Sequence, residues 1–394
     1  MSKETAIAVL PIFPIVYWLA PTEKHTEPQG TRRILSAVRI GALYASSAAI
    51  YLLVRSFILR GTGIEEGKHS FAEVVFSSPQ ILSFYVEKLF WPSGLAGFYV
   101  NQLVSFPTAR MYLATGVLLL GTGLFVWLAC RFSGVFAFAG VLILLPLLPA
   151  LAGIRVYDQG NMTHDRYLYL PSVGLCLLLS LAVGSVWRDM RARPVVLLIC
   201  VPIFAFLCYL TVRQQRFYHD DEAFYERAIA VDSRNALVMG YLGDAYLEKN
   251  ENELAMEWFE RGLRTAPNDP NAKFYLARGL MKTQQYSAAE PYLKDLAYGS
   301  QPIAPKRKSA LLLSLANAEM QLNEPDMAER TLKDLAEFDF RFPGLHRTLG
   351  IVFQRTGKIE DAQKEYALEF QISSDRESGR QAIALARLLR EFQH

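Results

Sequence analysis

Cysteine is nearly missing from this chain of 394 residues: Cys130, Cys176, Cys200 and Cys208 all fall in apolar runs, and none lies beyond Arg213. A disulfide framework or a Cys-based zinc site is therefore excluded from the C-terminal half. Catalytic signatures are lacking too. No HExxH, GxSxG or GxxxxGK[ST] occurs, and GTGIEEG at 61–67 lacks the dinucleotide-binding spacing. HDDE at 219–222 reads as the capped, dipole-stabilised start of a helix, so no metal site is expected and nothing calls for a cofactor. The basic residues form no stripe with interleaved aromatics, which argues against a nucleic-acid partner.

Charge divides the chain. Up to Arg213 there are 17 Lys/Arg against 10 Asp/Glu; beyond it there are 24 against 28. The first part is built of apolar runs long enough to cross a hydrocarbon core, about 20 residues each. Runs 111–130, 132–154, 167–187 and 194–212 carry no charge, 35–54 holds only Arg39, and the weaker 5–20 contains Pro11 and Pro14. About six spans are expected, with membrane lipid as their partner. ILSFYVEKLFWP (81–92) carries Glu87 and Lys88 and reads as an amphipathic helix at the interface. Lys24, Arg32 and Arg33, then Arg131, then Arg188, Arg191 and Arg193 alternate between spans, and Lys/Arg-rich short loops stay cytoplasmic. Loops 55–107 and 155–166, and everything after Arg213, are then external: periplasmic in a bacterium, in the lumen of the endoplasmic reticulum in a eukaryote. This topology places Met1 outside with no basic leader before the first run, so MSKETAIAVLP reads as the interior of a longer protein.

The second part repeats with a period of 34 residues. Leu242-Gly243, Tyr246, Ala255, Phe259, Gly262 and Pro267 fill the tetratricopeptide positions; Leu276-Ala277, Ala289 and Leu293 follow. After a five-residue insertion near GSQPIAPKRK come Leu315-Ala316, Ala328 and Leu332, then Leu349-Gly350, Ala362 and Tyr366. Small residues let paired helices approach, and stacking buries a core that no single repeat could bury. The expected fold is all-α: a transmembrane helical domain, 1–213, followed by a tetratricopeptide (TPR) solenoid, 214–394. The solenoid divides into a half repeat 214–235, repeats 236–269, 270–308, 309–342 and 343–376, and a closing helix 377–394. Inner-helix positions 2, 5, 9, 12 and 13 place Asp244, Glu248, Phe274, Arg278, Lys282, Asn317, Gln321, Arg347 and Arg355 on the concave face. The groove is expected to be acidic at the membrane end, basic toward the C-terminus, and to bind a protein or peptide partner.

On the external side, Lys3 and Glu4, Trp91 and the 155–169 loop stand at the membrane boundary. Each alone reads as a surface pair or an interfacial anchor; together they suggest one site. Arg166 beside a span suits a lipid phosphate, and His164 and Asp165 could orient it or transfer a proton. Asn161-Met162-Thr163 is a glycosylation sequon on the same side.

SKETAIAVLP, FYVEKLFWPSGL, LLPLLPAL and DRYLYLPSVGLCLLL, in this order and followed by TPRs, resemble the transmembrane-and-tetratricopeptide protein O-mannosyltransferase family. The resemblance implies a GT-C-type glycosyltransferase, of which this chain is the C-terminal portion. It implies transfer of a mannose-like sugar from a polyprenyl-phosphate donor to protein hydroxyls. Arg166, Tyr167, Tyr169, Lys3, Glu4 and Trp91 would then bind substrate, and the TPRs would present the acceptor. HDRYLYLP has Asp165 where the family more often has Glu. The acidic residue such enzymes carry in the first external loop is expected from a segment ahead of residue 1 or from a separate chain. The alternative is a non-catalytic, membrane-anchored TPR scaffold.

Overall fold

The computed structural model describes scattered positions between 36 and 54, then residues 69–100, 103–131, 134–155, 161–300 and 303–392. Lys3 and Glu4, the run 5–20 and much of 35–54 lie outside the described residues. The protein is all-α. Among the described residues the one extended pairing is an isolated antiparallel bridge between Tyr99 and Thr163. The chain forms two compact units, Met1–Asn235 and Ala236–His394.

In the first unit, α1 (Phe71–Phe90) starts at a reciprocal cap: Glu73 N–H donates to Ser70 Oγ, and Ser70 N–H donates to the Glu73 carboxylate at 2.8 Å. That cap starts the helix ten residues ahead of the amphipathic segment expected at 81–92. The difference matters, because Ser77, Ile81, Tyr85 and Leu89 recur every fourth residue and bury one face against the protein itself. Leu147, Ala150, Ile154, Met162 and Tyr167 complete that core.

Among the described residues, three helical stretches are long and apolar enough to cross a membrane: Ala109–Leu128 in α2 (Ala109–Arg131), Asp165–Trp187, and Arg193–Tyr218. The run 132–154 is not a single helix. It divides into α3 (Gly134–Leu144), a 3-10 turn (Leu145–Leu147) and α4 (Leu148–Gly153). Pro146 and Pro149 lie within four residues of each other, and neither supplies the N–H that a continuous helix needs there. A second 3-10 turn, Asp165–Leu168, leads into α5 (Tyr169–Trp187). α3 and α5 approach closely at Gly174, where a Cβ would stand 2.6 Å from the Ala139 carbonyl. Small residues serve helix contacts in this way where apolar side chains face outward. α6 (Arg193–Gln215) buries nothing, and Leu198 and Phe204 are 74% and 70% exposed. Past a short 3-10 turn, α7 (Asp221–Val231) is capped by Asp220, whose carboxylate accepts from Ala223 N–H.

The second unit pairs α8 (Ala236–Glu248) with α9 (Asn252–Thr265), α10 (Pro270–Lys282) with α11 (Tyr286–Tyr298), α12 (Pro305–Gln321) with α13 (Pro325–Asp339), and α14 (Leu345–Arg355) with α15 (Ile359–Ser373). α16 (Arg376–Phe392) closes the stack. Each pair turns through one left-handed residue: Asn250, Gln284, Asn323 and Gly357, all at φ between 62° and 77°. These positions repeat the period and its one insertion. Asn and Gly carry that backbone at least cost. Leu242, Ala255 and Phe259 in the first pair, and Leu315, Ala316, Ala328 and Leu332 in the third, are buried as the repeat pattern requires.

Candidate functional site

In the first unit the turn at 164–169 and the loop after α1 form one assembly. The α1 C-terminus is tied down by Lys88, whose ammonium donates to the Ser93 carbonyl at 2.7 Å and stands over the rings of Phe84 and Tyr99. Gly94, at φ +62°, turns the chain back toward Tyr99. The Tyr99 hydroxyl accepts from Ala96 N–H at 2.7 Å and donates to Asp165 Oδ1 at 2.7 Å. Burial first, then the Asp165 charge, hold this phenol protonated far above its ordinary range.

His164 is spent the same way. Its Nδ1 is 2.8 Å from the Gly97 carbonyl, and its backbone N–H donates to the Tyr85 hydroxyl at 3.2 Å. Burial lowers the imidazole's pKa, against hydrogen bonds to the backbone of Gly97 and Asn161 and with help from the Arg166 charge. A neutral ring therefore braces the turn at pH 7. Phe98 meets it edge-to-face and Tyr167 at a tilt, and Tyr85 in turn packs edge-to-face on Tyr167. Gly97 in turn lies against Phe224 of α7, so closely that a Cβ would stand 1.9 Å from the ring. The Leu95 carbonyl accepts from Gln214 and Arg227.

With His164, Asp165 and Tyr167 turned inward, two members of the HDRYLY segment face outward. Arg166 is exposed, its guanidinium over the Tyr167 ring at 5.5 Å, and Tyr169 is 74% exposed. Trp91 is 69% exposed at the end of α1. The structure thus joins the 91–99 loop to the 164–169 turn. Of the residues that do the joining, Tyr85 and Lys88 lie in FYVEKLFWPSGL, but Gly97 and Tyr99 carry no motif of their own. A hint lay in the expected topology, which put both loops on one side. A cavity of about 400 Å³ adjoins α1 and the start of α2, with Gln80, Ser83, Glu87, Thr108, Arg110 and Arg234 among its lining. The Ser83 hydroxyl is buried there without a hydrogen-bond partner.

In the second unit the expected groove residues link successive inner helices. Arg278 donates to Asp244 at 2.6 Å. Burial pushes Asp244 up to about 6, against the pull of Arg278. Arg307 stands 4.2 Å over the Phe274 ring and donates to Asn271. Arg355 donates to the Met320 carbonyl and to Asn323. Glu248, Lys282, Asn317, Gln321 and Arg347 are exposed.

Residues 213–270 match the tetratricopeptide repeat family pattern. Of curated proteins, the fruit-fly (Drosophila melanogaster) protein O-mannosyl-transferase Tmtc2 is 32% identical over 131 residues, 33% of this chain and 14% of that protein. Human (Homo sapiens) protein O-mannosyl-transferase TMTC3 is 24% identical over 205 residues, 50% of this chain and 21% of that protein. The chain therefore spans only a small part of the length of the relatives it matches. Among solved structures, YrrB, a TPR protein with an unusual peptide-binding site, aligns at 20% identity and a TM-score of 0.37, covering 46% of this chain and 89% of its own. MamA from Desulfovibrio magneticus RS-1 aligns at 16% identity and a TM-score of 0.37, covering 42% and 94%. The chain thus carries a tetratricopeptide repeat and is similar to a portion of protein O-mannosyl-transferases.

Proposed function

We propose that this chain is the membrane-and-repeat portion of a sugar transferase that moves a mannose-like sugar from a polyprenyl phosphate to protein hydroxyls. The observation that carries the reading is the braced turn at 164–169. His164 and Asp165 are committed to Gly97 and Tyr99, while Arg166 and Tyr169 are presented outward directly ahead of an apolar span. A guanidinium so placed matches a phosphodiester at membrane level, because its planar fork meets two phosphate oxygens at once. In the reaction the acceptor hydroxyl attacks the anomeric carbon, its proton passes to a base, and the bond to the phosphate oxygen breaks. Arg166 then offsets the charge left on the departing polyprenyl phosphate.

The three apolar stretches embed the first unit in the bilayer. The Lys/Arg-rich loops face the cytoplasm, so the turn and the repeats face outward, to the periplasm of a bacterium or the lumen of the endoplasmic reticulum. The concave face of the repeats holds the acceptor protein.

The test uses the full-length protein in proteoliposomes with a polyprenyl-phosphate-linked mannose and an acceptor protein. Arg166→Ala should lower transfer by about a hundredfold, a scale typical of losing one charge-stabilising group, with unchanged thermal unfolding. Arg166→Lys should restore part of it. Transfer undiminished in Arg166→Ala overturns the phosphate role. No transfer by the wild type, with retained capture of a protein partner, favours the scaffold reading instead.

A further inference from the structure

We infer that the concave face from α10 to α14 selects an acidic, extended segment of its protein partner. This rests on the reading that the groove takes a protein segment, and adds the chemistry of that segment. The inner-face positions of α10, α12 and α14 are Asn271, Phe274, Arg278, Met281 and Lys282; Ala310, Leu313, Asn317, Met320 and Gln321; and Gly344, Arg347, Ile351, Gln354 and Arg355. Four are cationic and none is acidic. In α8 the same positions give Asp244 and Glu248 and no cation. The chain beyond Arg213 carries more acid than base, 28 residues against 24, so this basic face runs against its surroundings.

The contacts show that these residues share a surface. Arg278 reaches back to Asp244 on α8, Arg307 to Asn271 and Phe274 on α10, and Arg355 to Met320 and Asn323 at the end of α12. Each bond runs from one inner helix, or the turn beside it, to the one before. They hold three guanidiniums in place, so little side-chain entropy is left to lose when a carboxylate arrives. Half-buried Phe274 and Leu313 and exposed Ile351 supply apolar footing between the charges. Alternating cations and apolar positions fit a strand-like segment of acidic and apolar residues. Glu248, exposed at the α8 end while Asp244 is paired with Arg278, repels its carboxylates and fixes which way along the groove it lies.

The experiment measures fluorescence anisotropy of labelled peptides of about ten residues against the whole protein in detergent micelles. One peptide is rich in Asp/Glu and Leu, one has Lys in place of every acid, and one has Gln. The acidic peptide should bind at least about tenfold tighter than the other two, and weaken with added salt. Lys282→Glu combined with Arg347→Glu should remove that preference while thermal unfolding stays within a few degrees. Equal binding of all three peptides, or tighter binding of the Lys peptide, overturns the inference while leaving the groove a protein-binding face. Binding of none overturns both. Neither result touches the transfer assay with Arg166→Ala.

Discussion

Tyr99 and Asp165, 66 residues apart in sequence, meet in a 2.7 Å hydrogen bond that fastens the loop after α1 to the turn ahead of α5. Two further bonds run in parallel, from His164 to the Gly97 carbonyl and to the Tyr85 hydroxyl. Arg166 inherits its position from these three, because the residues on either side of it are fixed.

Tyr99→Phe tests that dependence. The ring's packing survives, but the half-buried Asp165 carboxylate loses its side-chain donor, which should cost about 1–3 kcal/mol. Thermal unfolding in detergent should register the loss. A double-mutant cycle with Asp165→Ala should return a coupling energy clearly different from zero. Additive effects would mean that the bond does not hold the turn.

How far this arrangement was legible depends on how local its determinants are. The repeats were legible because one period fixes everything in them: small residues at 243, 255, 277 and 289 are next to their partners by construction. The braced turn was only half legible. RYLYLPS marks the segment, but Tyr99 contacts it across a fold, and no spacing announces a pair so far apart. The division of 132–154 went unread for another reason. Apolar composition is blind to helix continuity, whereas Pro146 and Pro149 act on backbone hydrogen bonds. Likewise the true start of α1 lay in the Ser70–Glu73 cap, outside the apolar stretch that drew attention to the helix.

Phe259 lies between two glycines of successive inner helices. A Cβ on Gly243 would stand 2.4 Å from its ring, and one on Gly279 2.5 Å. Gly243→Ala should therefore destabilise the repeat unit by about 1–3 kcal/mol through overpacking. Urea unfolding followed by circular dichroism measures it. Phe259→Leu in the Gly243→Ala background should recover part of the loss, since it withdraws the ring that clashes. A silent Gly243→Ala would show that the helix pair can slide apart freely.

Glu319 is buried in the repeat core, where Thr331 donates to one carboxylate oxygen at 2.8 Å and the other has no partner. Burial raises its pKa above the ordinary carboxylate value, against the Thr331 bond and the Lys294 charge. A raised carboxyl pKa means that the folded state holds its proton more tightly than the unfolded one. The cost of ionising Glu319 is therefore absent below the unfolded value, near 4.5, and fully present above the folded one. Glu319→Gln should stabilise the protein at pH 7 by about 1–2 kcal/mol. The gain should vanish as pH falls toward 4. A gain that is constant with pH would assign the effect to packing.

His346 shifts in the same direction from the opposite cause, because here the fold favours the charged form. The ring is 1% exposed, with Nδ1 2.7 Å from Glu365 and Nε2 2.8 Å from the Phe340 carbonyl. Burial would lower its pKa, but the Glu365 and Phe340 hydrogen bonds and the charges of Glu365 and Glu369 outweigh burial and raise it. Both nitrogens face acceptors, so the imidazolium satisfies the site and the neutral ring leaves one contact unmade. The stabilisation is fully present below the unfolded value of about 6.5 and is lost as pH rises through the raised folded value. Unfolding free energies from pH 5.5 to 9 should therefore fall more steeply for the wild type than for His346→Gln, whose side chain cannot titrate. Since Gly344 and Arg347 N–H groups both donate to Glu369, the site also anchors the start of α14. Parallel pH profiles for the two proteins would show that His346 stays neutral in the folded protein.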